Sequence, residues 1–197
     1  MTLWTIQTIE AWNRLEGTGL LRTDLRCVDK TFLPAYQWLA EQMRMRIGPP
    51  PTGGALPVWA WYQWQGEKKR PDLRFGGHLP KGRFGVRIEL AVDDKAVLLS
   101  DFELWHYVLN YWYLPASAEE GDRFDAALQR RNLSYFQTKP LPDPKFHQAI
   151  VASWQRIFDI DWVAEGLAEP RAKKSIQAAL WEVCLDDVRG VQEFIAR

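Results

Sequence analysis

The chain opens on an alternation. In LWTIQT, residues 3–8, Trp4 and Ile6 fall on one face and Leu3, Thr5 and Gln7 on the other, which predicts a short strand. Thr8 then stands where a hydroxyl can cap a helix, and Ile9, Trp12 and Leu15 give that helix an apolar stripe ending near Gly17 and Gly19. A second helix is predicted from Thr31. Pro34 sits in its first turn, Phe32, Tyr36, Leu39, Met43 and Ile47 recur at helical spacing, and Gly48 ends it. PPPTGG, residues 49–54, reads as a loop.

PVWAWYQW, residues 57–64, is aromatic on both faces and predicts a strand covered on both sides. A basic, glycine-rich connection follows. FGVRIELAV, residues 84–92, alternates again, with Phe84, Val86, Ile88, Leu90 and Val92 expected inward and Arg87 and Glu89 outward. Asp93 and Asp94 turn the chain into a second short strand, AVLL. Ser100 and Glu103 have capping-box spacing, opening a helix with Phe102, Trp105, Leu109 and Trp112 as its stripe. Further helices are predicted over 117–131 and 143–158, the second with Phe146, Ile150, Trp154 and Ile157 on one face. SIQAALWEVCL, residues 175–185, reads as one strand, and Val188, Val191 and Ile195 as the stripe of a short final helix.

Strands and helices do not alternate regularly, and no internal repeat is present. That order predicts an α+β fold: a mainly antiparallel sheet, continuous or split, flanked by several helices. A length of 197 residues suits a single domain over 1–197. The 25 basic residues balance the 25 acidic ones, so there is no global field to draw in nucleic acid or an anionic surface. Cys27 and Cys184 are too few for a disulfide framework and lack the spacing of a zinc site, which predicts a reduced, cytoplasmic setting. No apolar run reaches the ~20 residues that span a bilayer, so no membrane partner is expected.

One position breaks the pattern. Glu182 shares its predicted strand face with Ile176, Ala178, Leu180 and Cys184. A carboxylate in an apolar layer is costly unless exposed, paired or tuned by a cleft. Each alternative is open on the sequence: a solvent-facing side, a structural cation such as Arg87, or a site where the acid does chemistry. Other motifs carry less. GTGLLR, residues 17–22, follows a helix rather than a strand and is a helix stop, not a dinucleotide fingerprint. His78, His106 and His147 show no ligand spacing, so no metal is expected. His106 and Asn110, one turn apart, either present polar groups together from one face or belong to a partly exposed helix face. Lys68, Lys69, Arg70 and Arg74 lie beside Trp59, Trp61, Tyr62 and Trp64, and a guanidinium near a flat ring suits a phosphorylated, aromatic ligand.

The blocks LWTIQTIEAW, PVWAWYQW, RPDLR, RIEL, LLSDFELWHYVLN and IQAALWEV together resemble an uncharacterised bacterial, tryptophan-rich family, a domain of unknown function, over nearly the whole chain. LWTIQTIEAWNRLEGTGLL also resembles the opening strand and helix of ADP-ribosyltransferase-like proteins. That second resemblance implies a split antiparallel sheet binding NAD as substrate. Thr5 or Gln7 would hold the dinucleotide from the first strand, and Glu182 would be the catalytic carboxylate that steadies an oxocarbenium-like state. Arg74 would hold the pyrophosphate and Trp61 would stack on a base, while ADP-ribose passed to a protein or nucleic-acid acceptor. Thr5 departs from that superfamily, which usually has His or Arg there. The alternative is a non-catalytic module that recognises a nucleotide, RNA or peptide with the aromatic strand and basic loop.

Overall fold

The computed structural model describes residues 1–23, 25–51 and 56–197. The predicted 49–54 loop therefore lies partly outside the described residues, as does the side chain of Cys27. The fold is α+β, with five helices, a six-stranded sheet and a two-stranded one, and its residues divide into two compact units.

The first unit comprises Met1–Leu99 and Ile176–Arg197. Strand β1 (Thr2–Thr8) runs into helix α1 (Ile9–Thr18), whose N-cap is Thr8: its hydroxyl accepts from the Ala11 N–H at 3.2 Å. The helix stops at Gly19, where φ is 75° and the Gly19 N–H reaches the Leu15 carbonyl at 2.8 Å. A left-handed residue there is what glycine allows at least cost. Strand β2 (Leu20–Leu21), helix α2 (Leu33–Ile47), β3 (Val58–Gln63), β4 (Phe84–Ala91) and the first half of β5 (Leu98–Asp101) follow, and the chain returns through β6 (Ile176–Leu180), β7 (Val183–Cys184) and β8 (Val188–Ile195). The large sheet has the order β5-β6-β3-β1-β4-β8, and β2 pairs with β7. β1 is antiparallel to β4 from Thr2 opposite Ala91 to Thr8 opposite Gly85, and meets β3 at Trp4 opposite Trp61. This register gathers Leu3, Thr5, Val58, Ala60, Ile88, Leu90, Ala178 and Leu180 on one buried face.

Several expectations are corrected here. The single strand over 175–185 is two strands, because the chain leaves the large sheet after Leu180 and β7 joins the small one, with Trp181 and Glu182 between them. The final helix is instead strand β8. Its apolar spacing misleads because the ladder shifts register between Glu89 and Leu90. Val188 stands opposite Leu90 and Val191 opposite Ile88, so residues three apart share a sheet face, as they would on a helix. Arg87 does not point into solvent: it is buried, donating from Nη1 to the Pro71 carbonyl at 2.7 Å and from Nη2 to Gln192 Oε1. Phe84, expected inward, is 62% exposed near the end of the outer ladder.

The second unit, Ser100–Ser175, carries α3 (Phe102–Asn110), α4 (Ala118–Arg130) and α5 (Pro144–Ser153). Asp101, not Ser100, caps α3, accepting from the N–H groups of Glu103 and Leu104. The buried residues of α3 are Leu104, Trp105 and Val108, so of the expected stripe only Trp105 is core, and Trp112 is exposed. The helix expected over 143–158 is α5 followed by a tighter 3-10 turn over Trp154–Phe158. That turn is tied to the loop after α3: Trp154 Nε1 donates to the Trp112 carbonyl at 2.7 Å, and Arg156 Nη1 to that of Leu114 at 2.6 Å. Glu120 of α4 accepts from the Tyr113 hydroxyl and the Ala116 N–H. Those bonds, helped by nearby Arg156 and Arg123, hold its carboxyl below the ordinary range, while burial first and then Glu120 push the Tyr113 phenol up to about 12. A lowered carboxyl contributes stability above its unfolded value and loses it as pH falls through the folded one. Glu120→Gln is therefore expected to flatten the fall in unfolding midpoint as pH drops through and below the ordinary carboxylate range, read by urea titration at each pH. An unchanged slope would show that the carboxylate contributes nothing.

Among the described residues, no helix is long and apolar enough to cross a membrane. No group of three or more His, Cys, Asp or Glu side chains there is placed to hold a metal ion.

Candidate functional site

The junction of β1 and α1 opens a cleft of about 530 Å³ within the first unit. Gln7, Thr8 and Glu10 form one wall, and Arg14, Arg22 and Arg83 bring three guanidinium groups to the same space. Tyr36 and Trp59 also line it, their rings edge to face at 6.0 Å. Burial pushes the Tyr36 phenol up, against a hydrogen bond with Trp59 that lowers it.

Charge in the cleft is unevenly answered. Arg83 Nη2 lies 3.4 Å from the Glu10 carboxylate across an exposed, loose contact. The Glu10 carboxyl is held low by its own backbone N–H, then by Thr8 and Arg83. Arg14 has no salt bridge among the described residues, although Glu10 lies one helical turn before it. Among the described residues the lining thus holds three arginines and one carboxylate, next to the N-terminal end of α1, and both features favour an anion.

Glu182 is explained by register. β2 and β7 pair Leu20 with Cys184 and Leu21 with Val183, so the next step outward sets Arg22 beside Glu182. Arg22 donates from Nε to Glu182 Oε2 at 2.9 Å, and its Nη2 lies 2.7 Å from the same oxygen. The Glu182 side chain is partly buried, and its cation is Arg22 rather than Arg87. Glu182 does not itself line the cleft; it holds an arginine that does. The neighbouring Cys184 thiol is pushed up by burial and then by Asp187 and Glu182, which keeps it protonated and a poor nucleophile.

Thr5 and Gln7, predicted ligand-holding residues, form one unit. Thr5 is fully buried, donates its hydroxyl to the Trp59 carbonyl at 2.7 Å and accepts from Gln7 Nε2 at 2.7 Å. Only Gln7 of the two reaches the cleft. Trp61 and Arg74 do not line it. The Trp61 ring packs edge-on against Trp64 at 4.5 Å, and Trp64 against Phe75. Arg74 is exposed and locked in a two-point grip on Asp72, whose carboxyl it lowers, beside a separate open hollow with Lys81 and Arg197. Two other cations of the loop are engaged too: Lys68 sits 4.5 Å over the Tyr62 ring and Lys69 pairs with Glu67. His106 turns its Nδ1 to the backbone of its own helix, and Asn110 does the same, which makes that pair an exposed helix surface. Sequence reading missed Arg14, Arg22, Arg83 and Tyr36. Their only local signal was the Glu10–Arg14 spacing, since the other three come together through strand pairing and helix placement.

No curated protein and no solved structure matches the chain. A family model described as Domain of unknown function (DUF3841) matches residues 2–189, and the chain belongs to that family.

Proposed function

We propose that the protein binds a small nucleotide in the β1–α1 cleft, with Arg14, Arg22 and Arg83 taking the phosphate and the Tyr36 and Trp59 wall taking the ring. The observation that carries this reading is that three arginines and two aromatic residues line one hollow, with Glu10 as the lining carboxylate among the described residues. Guanidinium is the side chain best shaped for phosphate, and its charge-assisted bonds are about twice as strong as neutral ones. In this reading Glu182 is a positioning residue. It fixes the Arg22 guanidinium through one oxygen and leaves the rest of the fork for a ligand. The ADP-ribosyltransferase resemblance makes NAD and ADP-ribose natural probes, but Glu182 could act on a ribose only after releasing Arg22. Transfer to a protein or nucleic-acid acceptor is therefore the less favoured form of the proposal.

Titration with AMP, ADP, ADP-ribose and NAD, followed by calorimetry, tests it. Arg22→Ala is expected to weaken the best of these about 10- to 100-fold, the loss of a charged hydrogen-bond donor to phosphate, and Arg14→Ala to weaken it less. Arg74→Ala, outside the cleft, should leave affinity unchanged. Absence of binding by all four, or equal affinity in wild type and Arg22→Ala, would end the proposal. Nicotinamide release from NAD, compared between wild type and Glu182→Gln, addresses transfer separately: release lost in the variant would restore a catalytic role to that carboxylate.

A further inference from the structure

The geometry points to Gln7 as the residue that reads the ligand's ring: we propose that its Oε1 accepts a hydrogen bond from an N–H2 group on that ring, as an exocyclic amine or a carboxamide presents. The inference rests on the nucleotide reading of the cleft and adds which rings it admits.

Donor and acceptor supply fixes the orientation of the Gln7 amide. The Thr5 hydroxyl lies 2.7 Å from the Trp59 carbonyl oxygen, and a carbonyl can only accept, so the single hydroxyl proton goes there. Thr5 Oγ1 has lone pairs left and no proton. The Gln7 amide approaches that oxygen at 2.7 Å and must present its Nε2 side, since Oε1 in that place would oppose two acceptors. The amide is thereby fixed in one sense, and Oε1 is the end turned away from Thr5. Thr5 is fully buried on the central strand β1 and Gln7 is half-buried, so the relay is anchored in the sheet. Among the described residues, Gln7 Oε1 has no hydrogen-bond partner, and Gln7 lines the cleft.

A carbonyl oxygen held in this way repels phosphate and an oxo group and attracts an N–H. The three arginines already assign the phosphate, which leaves Gln7 to meet the other end of the ligand. Of the rings in the adenine and NAD probes, two satisfy it: adenine through its amino group and nicotinamide through its carboxamide. A ring with a carboxylate or with nothing at that place does not. A site built to bond one hydrogen rejects the analogue lacking it, because the acceptor is then covered by the ligand and left unpaired.

Two ligand pairs separate these sources: AMP against purine riboside 5′-monophosphate, and nicotinamide mononucleotide against nicotinic acid mononucleotide. Wild-type protein is expected to favour the amino-bearing member of at least one pair about tenfold. Gln7→Met is expected to bring that ratio close to one by weakening only the preferred member. Thr5→Ser, which keeps the hydroxyl, should retain the ratio, and Thr5→Val, which lets the amide turn over, should reduce it. The pair that discriminates identifies the ring. If all four ligands bind and neither pair is discriminated, or if Gln7→Met leaves the ratio intact, the assignment of Gln7 is wrong while the cleft stands. If none binds and the longer nucleotides also fail, both readings fall together.

Discussion

Asp101→Ala is expected to cost about 3–5 kcal/mol of stability, the penalty for stranding a buried charge. Asp101 Oδ2 lies 3.0 Å from Lys174 Nζ, and the side chains of Lys174 and Asp101 are only 2% and 3% exposed. Lys174 also donates to the Trp162 carbonyl at 2.8 Å, a neutral partner that cannot replace the carboxylate. The same carboxylate caps α3 through Oδ1, at 3.0 Å from the Glu103 N–H and 3.3 Å from that of Leu104. The pair fastens the two ends of the second unit, where the Phe102 N–H also reaches the Ser175 carbonyl at 3.0 Å. One substitution thus removes a counter-ion and a helix cap together. Asp101→Asn keeps the acceptor for the cap and should cost less. Adding Lys174→Met to it should recover part of the loss, because no unpaired ammonium then remains. Urea unfolding of the four proteins gives the order. A loss below about 1 kcal/mol for Asp101→Ala would mean that the ammonium finds another counter-charge or reaches water.

Ile88→Ala is expected to cost about 2–5 kcal/mol, while Val191→Ala, its neighbour across the ladder, should cost under about 1 kcal/mol. Ile88 is fully buried on β4, with Thr5 opposite on one side and Val191 on the other. Deleting its three outer carbons leaves a cavity on the buried face it shares with Thr5, Leu3 and Leu90, which close strand pairing cannot collapse. Val191 lies on the outer strand β8 and is 41% exposed, so solvent fills whatever its truncation opens. Denaturant midpoints at unchanged slope measure the difference. Equal losses at the two positions would show that β8 is covered in solution.

How far the sequence could be read depended on whether a residue's role was set by its near neighbours. β1, α1, α2, β3 and β4 were each legible because a clean period of 2 or of about 3.6 residues was bounded by a cap, a proline or a glycine, as at Thr8, Pro34 and Gly19. Where a distant ladder interrupted the local pattern, reading failed. The bulge opposite Glu89 and Leu90 gave β8 a helical spacing, and the change of sheet after Leu180 broke an alternation that looked continuous. The candidate site follows the same division. The resemblance pointed to Thr5 or Gln7 on a recognisable first strand, and of the two only Gln7 lines the cleft. Arg74 and Trp61 looked suitable by composition, but Asp72 and Trp64 had already engaged them.

The sequence by itself determined the α+β class, most of the elements and the anomaly at Glu182, since each rests on spacing within about a dozen residues or on composition. Tertiary structure alone decided what the anomaly means. Strand pairing across 160 positions brings Arg22 to Glu182, and the β1–α1 junction gathers Arg14, Arg22 and Arg83 around Gln7. An ion pair depends on the distance between two charges in space, and separation along the chain says nothing about that until the register is made.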